Sequence, residues 1–540
     1  MPSFDQLSEP SKMKRIIICC DGTWQSSNHG LEGVVPSNVA KISRAISKYE
    51  ETSNGQIIHQ IVYYDAGVGT GTDVSGEGKQ SWTAWANSYI AAGVRRWEGG
   101  LGAGLDENVN EAYNFIVNNY NKGDELYFFG FSRGAFTARA VAGLVASVGI
   151  CTNLMMDDYP AMYAAYKSRP KDKDIDDTVW AKEPPKPNPQ NKPAGSEWLA
   201  RCVDRDPTIK VVGVFDTVGA LGLPDTVHLR FNSLREHFGF HNTDLLPEVE
   251  NGFHALALDE HRRSFSPTLW SLTDKPVKDH PGHPKREDRP KQRLVQCWFP
   301  GMHINIGGGS SDVANEAKAK QTDMEAMANI TYAWMVDRVR ESTRLCFDWQ
   351  ALGKIAEAYN KSVHASNGTY TPSGWDLGPI SDPWKKMWLG GSLDRTPGEY
   401  HDTRVTEEYI HPIVEYALRS KKYPLQKDHS LKDFKRVKRS DGDGYEWRKT
   451  IGGKTVSIKE FVIPGDKEDL PRIERWVMMN GTQQGFQGLQ PSWEKVKAQE
   501  RDGFMETASF INELDKANGI KLAEPRFSDS SAKFTQTGFR

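Results

Sequence analysis

The chain has 540 residues, of which 38% are hydrophobic, and its formal net charge is −3. That length allows roughly two to four average domains, or one large enzyme domain with insertions. The small net charge gives no general attraction to nucleic acid or anionic membranes. No stretch approaches the about 18 consecutive apolar residues of a transmembrane helix, and the N-terminus MPSFDQLSEPSKMKR lacks the apolar core of a secretory signal.

Cysteine usage indicates the compartment. No two of the six cysteines have CxxC spacing, and two of them sit together in an apolar run. This pattern favours reduced, mostly buried thiols in a cytoplasmic protein and argues against a zinc site. The six are Cys19, Cys20, Cys151, Cys202, Cys297 and Cys346.

Apolar runs alternate with helical patterns along much of the chain, which favours an α/β fold with a mostly parallel sheet flanked by helices. The predicted strands, some with the turn that follows, are 15–20, 57–65, 124–131, 209–219 and 293–303. The predicted helices are 106–120, 133–149 and most of 310–342. GGLGAG at 99–104 looks like a dinucleotide fingerprint but follows no clear strand, so we interpret it as a turn before the first helix.

Two polar inserts interrupt this plan. The segment 181–197 is rich in proline, and 274–293 is both basic and rich in proline. Both are typical of exposed loops. The segments 157–166, 244–258 and 382–393 are candidate cap pieces, although their aromatic and methionine side chains are equally typical of core packing.

A Gly-x-Ser-x-Gly pentad lies where an apolar run ends, in LYFFGFSRGA, with Ser132 at its centre. At a strand-to-helix turn a nucleophilic serine takes a strained backbone conformation, and small residues on either side prevent clashes; Gly130 and Gly134 occupy those positions. The helix that follows points its first amides at the surroundings of the serine, so the N–H of Arg133 is an oxyanion-hole candidate. The alternative is a small residue in a purely structural turn.

A serine nucleophile needs a base, and the base needs an orienting acid. In α/β-hydrolases the acid and then the histidine follow the serine along the chain. Asp216 ends the apolar run VVGVF and begins the turn DTVG, which is where such an acid is expected. The alternative is an aspartate that caps the turn through its own backbone.

Three histidines compete for the role of base. His303 follows LVQCWFPGM and precedes INIGGGS, where three glycines leave it room to approach a serine. His261, in ALALDEHRR, and His254 lie in a segment that looks helical and lacks a preceding strand. We therefore expect His303 to be the base and His261 to be a polar residue that supports the site.

Six segments together resemble the DUF2235 family of α/β-hydrolases, which includes the Tle1-type phospholipase effectors of bacterial type VI secretion. They are IIICCDGTW, YYDAGVGT, FFGFSRGAFTARAVAGLV, VGVFDTVGALGLP, HALALDEHRRSF and CWFPGMHINIGGGS. The segment RTPGEYHDTRVTEEYIHPIVEYAL is also similar to a late segment of fungal members. The resemblance implies an α/β-hydrolase domain over residues 14–420, with inserted cap segments near 150–205 and 270–293. Residues 421–540 are expected to form an accessory region, with a β-hairpin in DGDGYEWRKTIGGKTVSI and a flexible tail.

The resemblance places the nucleophile on Ser132, the acid on Asp216 and the base on His303. Many relatives read His-Ser-Asp-Val-Gly-Gly-Gly where this chain has Ile304 and Asn305 after the histidine. Neither change replaces a member of the triad. Both argue against carrying over a headgroup contact or a calcium-like role for that loop, and Asn305 stays a candidate supporting residue.

The motif DGT after the first strand has a separate implication. By resemblance, backbone amides near Gly22 and Thr23 complete the oxyanion hole. Asp21 is expected to fix that loop through hydrogen bonds, and Asp65 to do the same for the loop AGVGT. For both aspartates the structural role is favoured over a chemical one.

These features predict a serine hydrolase that cleaves carboxylic esters, including lipid or phospholipid acyl esters, through an acyl-serine intermediate and without a metal or organic cofactor. The expected partner is a small-molecule or lipid ester. Peripheral membrane contact is compatible with this interpretation, whereas nucleic acid is not expected.

Two other classes compete. CCDGT resembles the phosphatase motif Asp-x-Asp-Gly-Thr, but Cys19 stands where that motif needs its nucleophilic aspartate. The stronger alternative is a catalytically silent scaffold or binding protein that has kept the hydrolase fold, because a fold does not determine a function.

Overall fold

The computed structural model describes residues 13–22, 36–52, 54–67, 94–170, 174–182, 195–218, 244–272, 290–309, 326–348, 351–352, 393–399, 405–419, 430–441, 444–464 and 474. Most of the two inserts and of the 382–393 segment, together with the last residues of the chain, lie outside this part. Contacts divide the chain into two compact units. The first draws on 1–29, 48–252 and 263–293, and the second on 30–47, 253–262 and 294–540.

The described strands are β1 (Arg15–Cys20), β2 (Tyr49–Glu51), β3 (Ile57–Asp65), β4 (Glu125–Phe131), β5 (Thr208–Phe215), β6 (Val249–Ala257), β7 (Arg293–Phe299), β8 (Glu408–Ile410), β9 (Lys435–Lys438), β10 (Tyr445–Ile451) and β11 (Lys454–Glu460). The described α-helices are α1 (Asn38–Ala45), α2 (Val94–Asn119), α3 (Ser132–Val148), α4 (Tyr159–Ser168), α5 (Val179–Lys182), α6 (Gly195–Ala200), α7 (His303–Gly307), α8 (Ala326–Ser342) and α9 (Ile413–Arg419).

In the first unit five strands follow the order β2-β3-β1-β4-β5. The pairs β1–β3, β1–β4 and β4–β5 are parallel, whereas the short edge strand β2 runs antiparallel to β3. Every residue of β1 is buried, as are all residues of β4 after the first. A parallel strand covered on both faces reads as a continuous apolar run, which explains why RIIICC and LYFFGF stand out in the sequence. The predicted α/β class, with a mostly parallel sheet flanked by helices, is confirmed.

Helix α3 packs against β1, β4 and β5. Twelve of its seventeen residues are buried, and most of these are alanine, valine, leucine or glycine. Small side chains let the helix axis approach the sheet closely. The helix ends at Gly149, whose φ of 82° lies in the left-handed region that favours glycine, so the predicted C-terminus is confirmed.

Helix α2 corrects one prediction. It starts at Val94, well before the predicted start at 106, and the GGLGAG segment at 99–104 lies inside it rather than in a turn. Glycine in a helix interior costs about 1 kcal/mol relative to alanine, a penalty that does not forbid the helix. Glycine content alone was therefore a poor signal for a turn.

In the second unit the strand order is β6-β7-β8-β11-β10-β9, and the division between units falls inside β6, after Gly252. Strand β8 runs parallel to both β7 and β11, whereas β10 is antiparallel to β9 and β11. Strands β10 and β11 form a hairpin whose turn contains Gly452 and Gly453, with φ of 55° and 82°. Two consecutive positive φ angles strongly favour glycine, which explains the IGGK sequence at this turn. The boundary predicted near residue 420 stays a prediction.

Helix α4 lies in one of the candidate cap pieces. Tyr159, Met162, Tyr163 and Tyr166 are buried, and neighbouring tyrosine rings stack with centroids 5.4 Å and 6.4 Å apart. The hydroxyl of Tyr163 donates to Asp106 of α2 at 2.8 Å. These side chains therefore belong to core packing. Segment 244–258 likewise contains the buried strand β6.

All six cysteines are free thiols, and Cys19, Cys20, Cys151 and Cys297 are buried. The prediction that most of the thiols are buried is thus confirmed. Burial raises the pKa of each of these four thiols, which lowers their reactivity. Among the described residues, no helix is long and apolar enough to cross a membrane.

Candidate active site

Several predicted site residues lie along one edge of the sheet in the first unit. Because β3, β1, β4 and β5 are parallel, their carboxyl ends meet at the same edge. Phe131 of β4 pairs directly with Phe215 of β5, so the residues that follow them leave adjacent strands at the same level. Ligands of open α/β sheets bind at the carboxyl ends of strands. The predicted residues at this edge are Asp65, Asp21, Ser132 and Asp216.

Ser132 forms the turn between β4 and α3. Its φ is 58°, although it is not a glycine, and the preceding Phe131 is still extended. A non-glycine residue held in the left-handed region stores about 1–3 kcal/mol of strain and is characteristic of functional positions. Ser132 is half-buried. The backbone therefore lifts the serine out of the strand at the point where the helix begins.

The two glycines of the pentad each sit where a side chain would clash. A Cβ on Gly130 would lie 2.5 Å from the Cα of Ala135. A Cβ on Gly134 would lie 2.2 Å from the carbonyl oxygen of Asp21 and 2.3 Å from that of Cys20. Gly134 thus lets the first turn of α3 rest against the end of β1, and Gly130 lets the chain reverse tightly at the serine.

The start of α3 has no side-chain cap. Phe131 occupies the capping position and makes no side-chain hydrogen bond to the helix. The first-turn amides of a helix carry partial positive charge and favour an anion nearby. The N–H of Arg133 belongs to this turn, directly after Ser132.

Asp216 follows β5 and is fully buried. Its φ is 40°, so Ser132 and Asp216, at the ends of neighbouring strands, both take left-handed backbone conformations. Two such residues at adjacent strand ends are unusual, because each costs conformational energy that the surrounding structure must offset. The turn is therefore held in a specific shape.

Backbone contacts hold the segment after Asp216. The N–H of Thr268 donates to the carbonyl of Thr217 at 3.0 Å, and Val218 bridges to Pro267. Arg139 of α3 donates to the carbonyl of Thr268 at 2.5 Å. Its guanidinium also stacks on Trp270, with 4.2 Å to the ring centroid. The helix that starts at Ser132 thus also fixes the strand end that carries Asp216.

Asp21 holds the end of β1 through hydrogen bonds to its neighbours. Its carboxylate accepts from the N–H of Gly22 at 2.7 Å and from the hydroxyl of Tyr64 at 2.6 Å, and its own N–H donates to Asp65 at 2.8 Å. These are the contacts of a residue that fixes a loop. They also engage the Gly22 amide, which was predicted as an oxyanion donor. Thr23 lies outside the described residues.

Asp65 closes β3 in a similar way. Its carboxylate accepts from the N–H of Gly67 at 2.9 Å and from the side chain of Asn108 at 2.6 Å. Burial raises the pKa of Asp65, while the hydrogen bonds from Gly67 and Asn108 oppose the rise. Gly67 lies against the end of β1, since a Cβ on it would be 2.7 Å from the carbonyl oxygen of Asp21.

His303 belongs to the second unit and is almost fully buried. It begins the short helix α7 after β7. Asn305 accepts a hydrogen bond from the N–H of Met302 at 3.0 Å, so it closes the first turn of this helix. Asn38 donates to the carbonyl of Ile306 at 2.9 Å, which ties the end of α7 to helix α1.

Glu260 is a neighbour of His303 that the sequence did not single out. It is 1% exposed, and its carboxylate accepts from the N–H of His303 at 3.2 Å. The same carboxylate accepts from Arg262 through the backbone N–H at 2.9 Å, Nε at 2.8 Å and a terminal nitrogen at 2.7 Å. Burial works to raise the pKa of Glu260, but Arg262, Arg395 and His303 outweigh it and lower the pKa to about 2.

The two other histidines considered as the base, His254 and His261, lie in a different secondary structure from the one predicted. The helical interpretation of their segment is wrong, because His254 lies in β6 and His261 follows that strand. His254 is fully buried and contacts Gln296 at 3.3 Å. A ring nitrogen of His261 contacts the carbonyl oxygen of Asp259 at 3.2 Å. Both faces of β6 are buried, so its apolar run lacks the alternation that signals a strand.

The predicted site residues that the structure describes fall into two groups, one in each unit. The first unit holds the serine turn, Asp216 and the two loop-fixing aspartates, and the second holds His303 with Asn305, His261 and the newly found Glu260. Within the described ranges, no cluster of three or more histidine, cysteine or carboxylate side chains is placed to hold a metal ion. The sequence signal for Glu260 was available in DEHRR, where an acid stands two residues before an arginine.

The mostly parallel sheet flanked by helices makes this chain an α/β protein. A strained serine lies between one of its strands, β4, and helix α3. Residues 14–338, more than half of the chain, match the family described as T6SS, phospholipase effector Tle1-like, catalytic domain. The chain therefore belongs to the Tle1-like catalytic-domain family.

The individual proteins that match this chain share less than a third of their aligned residues with it. An uncharacterized protein of Saccharomyces cerevisiae, YEL023C, is 28% identical over 284 residues, which cover 50% of this chain and 36% of the yeast protein. The chain thus spans about a third of that relative. A Tle1 effector bound to the VgrG spike of the type VI secretion system aligns with 15% identity and a TM-score of 0.31, over 67% of this chain and 85% of the effector. An uncharacterized protein from Pseudomonas aeruginosa aligns with 17% identity and a TM-score of 0.29, over 69% and 52%.

Replacing Gly134 by alanine is expected to destabilise the protein by about 1–3 kcal/mol, because the new methyl group would overlap two backbone carbonyls that cannot move independently. Gly143 is a matched control in the same helix. A Cβ there would be 3.4 Å from the Tyr166 hydroxyl, an ordinary contact. Gly143→Ala is expected to be neutral or to stabilise by up to about 1 kcal/mol. Urea unfolding of both variants checks this, and equal effects would contradict it.

The low pKa of Glu260 predicts that part of the unfolding free energy is lost at acid pH. Its pKa is lower in the folded chain than the ordinary 4.5, so its stabilising contribution is present above pH 4.5 and is lost as the pH falls toward 2. Between pH 6 and pH 3, wild type is expected to lose about 2 kcal/mol more unfolding free energy than Glu260→Gln. Urea unfolding at both pH values measures the difference. Parallel losses in the two proteins would show that Glu260 is not held ionised.

Proposed function

We propose that this chain is a serine hydrolase that cleaves acyl esters of lipids through an acyl-serine intermediate. One observation carries the proposal, namely the left-handed backbone of Ser132 between a buried strand and an uncapped helix. A purely structural turn at this place would be built more cheaply with glycine. The strained serine with glycines two residues away on either side matches the nucleophile elbow of serine hydrolases.

Lipid esters are proposed as the substrate class because the family to which the chain belongs is described by its phospholipase effectors. The carboxylic ester is the part of a phospholipid that an acyl-serine mechanism attacks. The proposal therefore concerns removal of a fatty acyl group.

In the proposed reaction the hydroxyl oxygen of Ser132 attacks the ester carbonyl carbon while His303 accepts the hydroxyl proton. The carbonyl electrons move to oxygen, and the resulting oxyanion is stabilised by the N–H of Arg133 at the start of α3. When the tetrahedral intermediate collapses, the alcohol leaves with the proton from His303. Water then attacks the acyl-serine by the same route and releases the carboxylic acid. Asp216 is proposed to hold the imidazole in the required tautomer.

The resemblance implied that the N–H of Gly22 is a second oxyanion donor, but this N–H already has an acceptor. The N–H of Gly22 donates to the Asp21 carboxylate at 2.7 Å, so it could serve an oxyanion only by giving up that hydrogen bond. Asp21 is therefore proposed to shape this loop, with Arg133 as the main backbone donor.

Labelling by a fluorophosphonate tests the nucleophile. The serine oxygen displaces fluoride from phosphorus, so the peptide that contains Ser132 gains the phosphonyl mass. Labelling is expected in wild type and is expected to be lost in Ser132→Ala and strongly slowed in His303→Gln. Mass spectrometry of the peptide gives the readout. A folded wild-type protein that is never labelled at Ser132 would favour the silent-scaffold alternative.

The role of Asp216 has a matched control at the opposite edge of the same sheet. Asp124 is equally buried and accepts from the N–H of Lys14 at 2.9 Å and from Asn121 at 2.7 Å, just before β4. Asp216→Asn is expected to lower kcat/KM for a p-nitrophenyl ester by about 10²–10⁴ through loss of the tautomer. Asp124→Asn is expected to reduce stability and leave kcat/KM near wild type. Similar activities in both variants would remove Asp216 from the proposed triad.

The substrate class is tested with the same proteins. A soluble p-nitrophenyl ester and phosphatidylcholine vesicles are compared, with released fatty acid as the readout. Fatty acid release that depends on Ser132 is expected. Hydrolysis of the soluble ester with intact vesicles would confine the activity to non-lipid esters.

A further inference from the structure

A buried charge cluster surrounds the start of α7 in the second unit. The loops after β6 and β7 run side by side, since the N–H of Asp259 donates to the carbonyl of Gly301 at 3.1 Å. In return the N–H of Gly301 donates to the Asp259 carboxylate at 2.5 Å. These paired contacts hold the next residue, Glu260, beside His303.

Glu260 supports the backbone of His303 directly. Its carboxylate accepts the N–H of His303 at 3.2 Å, while Asn305 accepts the N–H of Met302 at 3.0 Å. Met302, which precedes α7, and His303, its first residue, are thus each fixed by a side-chain oxygen. A buried N–H without an acceptor would cost about 1–3 kcal/mol, so this position of the chain is strongly preferred.

Glu260 also keeps its charge. Arg262 binds both carboxylate oxygens, and this geometry makes a strong ion pair. Arg395, which is buried and donates to the carbonyl of Ala257 at 2.6 Å, adds a second cation near the carboxylate. The imidazole of His303 interacts electrostatically with the same carboxylate. Among the described residues of this unit, the charged and titratable groups around the start of α7 include Glu260, Arg262, Arg395, Asp259 and His261. Helices α1 and α8, which contact α7, also carry the buried charged residues Lys41, Asp337 and Arg338.

We propose that Glu260 is a positioning residue for His303, which fixes the backbone of the histidine and keeps a negative charge beside its imidazole. The inference rests on the proposed role of His303 as a base. Two arginines accompany this carboxylate, so removing its charge leaves two buried cations uncompensated beside the start of α7. A base beside uncompensated cations holds a proton less readily.

The test compares three variants with wild type. Glu260→Gln keeps the shape and the acceptor oxygen but removes the charge, and Glu260→Asp keeps the charge. Glu460→Gln is the matched control in the same unit, because Glu460 is also buried and pairs with Arg436 through contacts of 2.6 Å and 2.8 Å. Thermal unfolding shows that each variant is folded.

The first readout is the pH dependence of fluorophosphonate labelling at Ser132, whose acid limb reports the base of the free enzyme. The second is the titration of His303 by NMR in protein labelled with ¹³C at histidine Cε1, assigned through His303→Gln. In both, the midpoint is expected to fall by about 0.5–1 pH unit in Glu260→Gln. It is expected to stay near wild type in Glu260→Asp and Glu460→Gln.

The outcomes separate this inference from the proposed function. Wild-type labelling with an unchanged midpoint in Glu260→Gln overturns the inference alone, as does an equal shift in Glu460→Gln. No labelling of wild-type Ser132 overturns the hydrolase proposal and this inference with it, whatever the NMR titration gives. A fall of the midpoint in both readouts, confined to Glu260→Gln, supports the role of Glu260.

Discussion

The close approach of helix α3 to the end of β1 is the constraint on which the first unit depends. At Gly134 the helix comes so near two backbone carbonyls that a methyl group would lie 2.2 Å from one of them. The chain must therefore leave β4 and enter the helix within a single residue, and that residue is Ser132. Its strain of about 1–3 kcal/mol is offset by the burial of the helix against three strands.

The carboxylates near the strand ends have different structural roles. Asp21 and Asp65 accept hydrogen bonds from the loop amides of Gly22 and Gly67 and from side chains of β3 and α2, and so they shape the edge of the sheet. In the second unit Glu260 combines a backbone acceptor role with a buried ion pair. Local hydrogen bonding distinguishes these roles, and a sequence that shows only an acidic residue after an apolar run does not.

Much of the first unit could be predicted because its strands are buried on both faces and end in recognisable turn residues. The helix after Ser132, its end at Gly149 and the strand before Asp216 follow from apolar runs and glycine positions. The same rules failed where the pattern has two meanings. A continuous apolar run around His254 is compatible with a helix and with a strand. The glycines at 99–104 suggested a turn, although they lie inside helix α2.

Glu260 shows a different limit of sequence reasoning. Its position beside His303 arises from pairing between two loops that are about forty residues apart in the chain, since Asp259 and Gly301 exchange hydrogen bonds. No local period or spacing encodes such a contact. The ion pair with Arg262 is local, however, and an acid and a base two residues apart were a visible signal that a buried charge could be stabilised there.

The pairing of β7 with β8 also bears on how much of the chain is self-sufficient. The part that matches the family ends at residue 338, yet Cys297 and Trp298 of β7 pair with residues 409 and 410. The side chain of Trp298 donates to Glu408 at 2.9 Å as well. A chain shortened to the matched region would leave the backbone of a mostly apolar strand open along one side. Unpaired edges of that kind recruit other chains, so the shortened protein would be prone to aggregate.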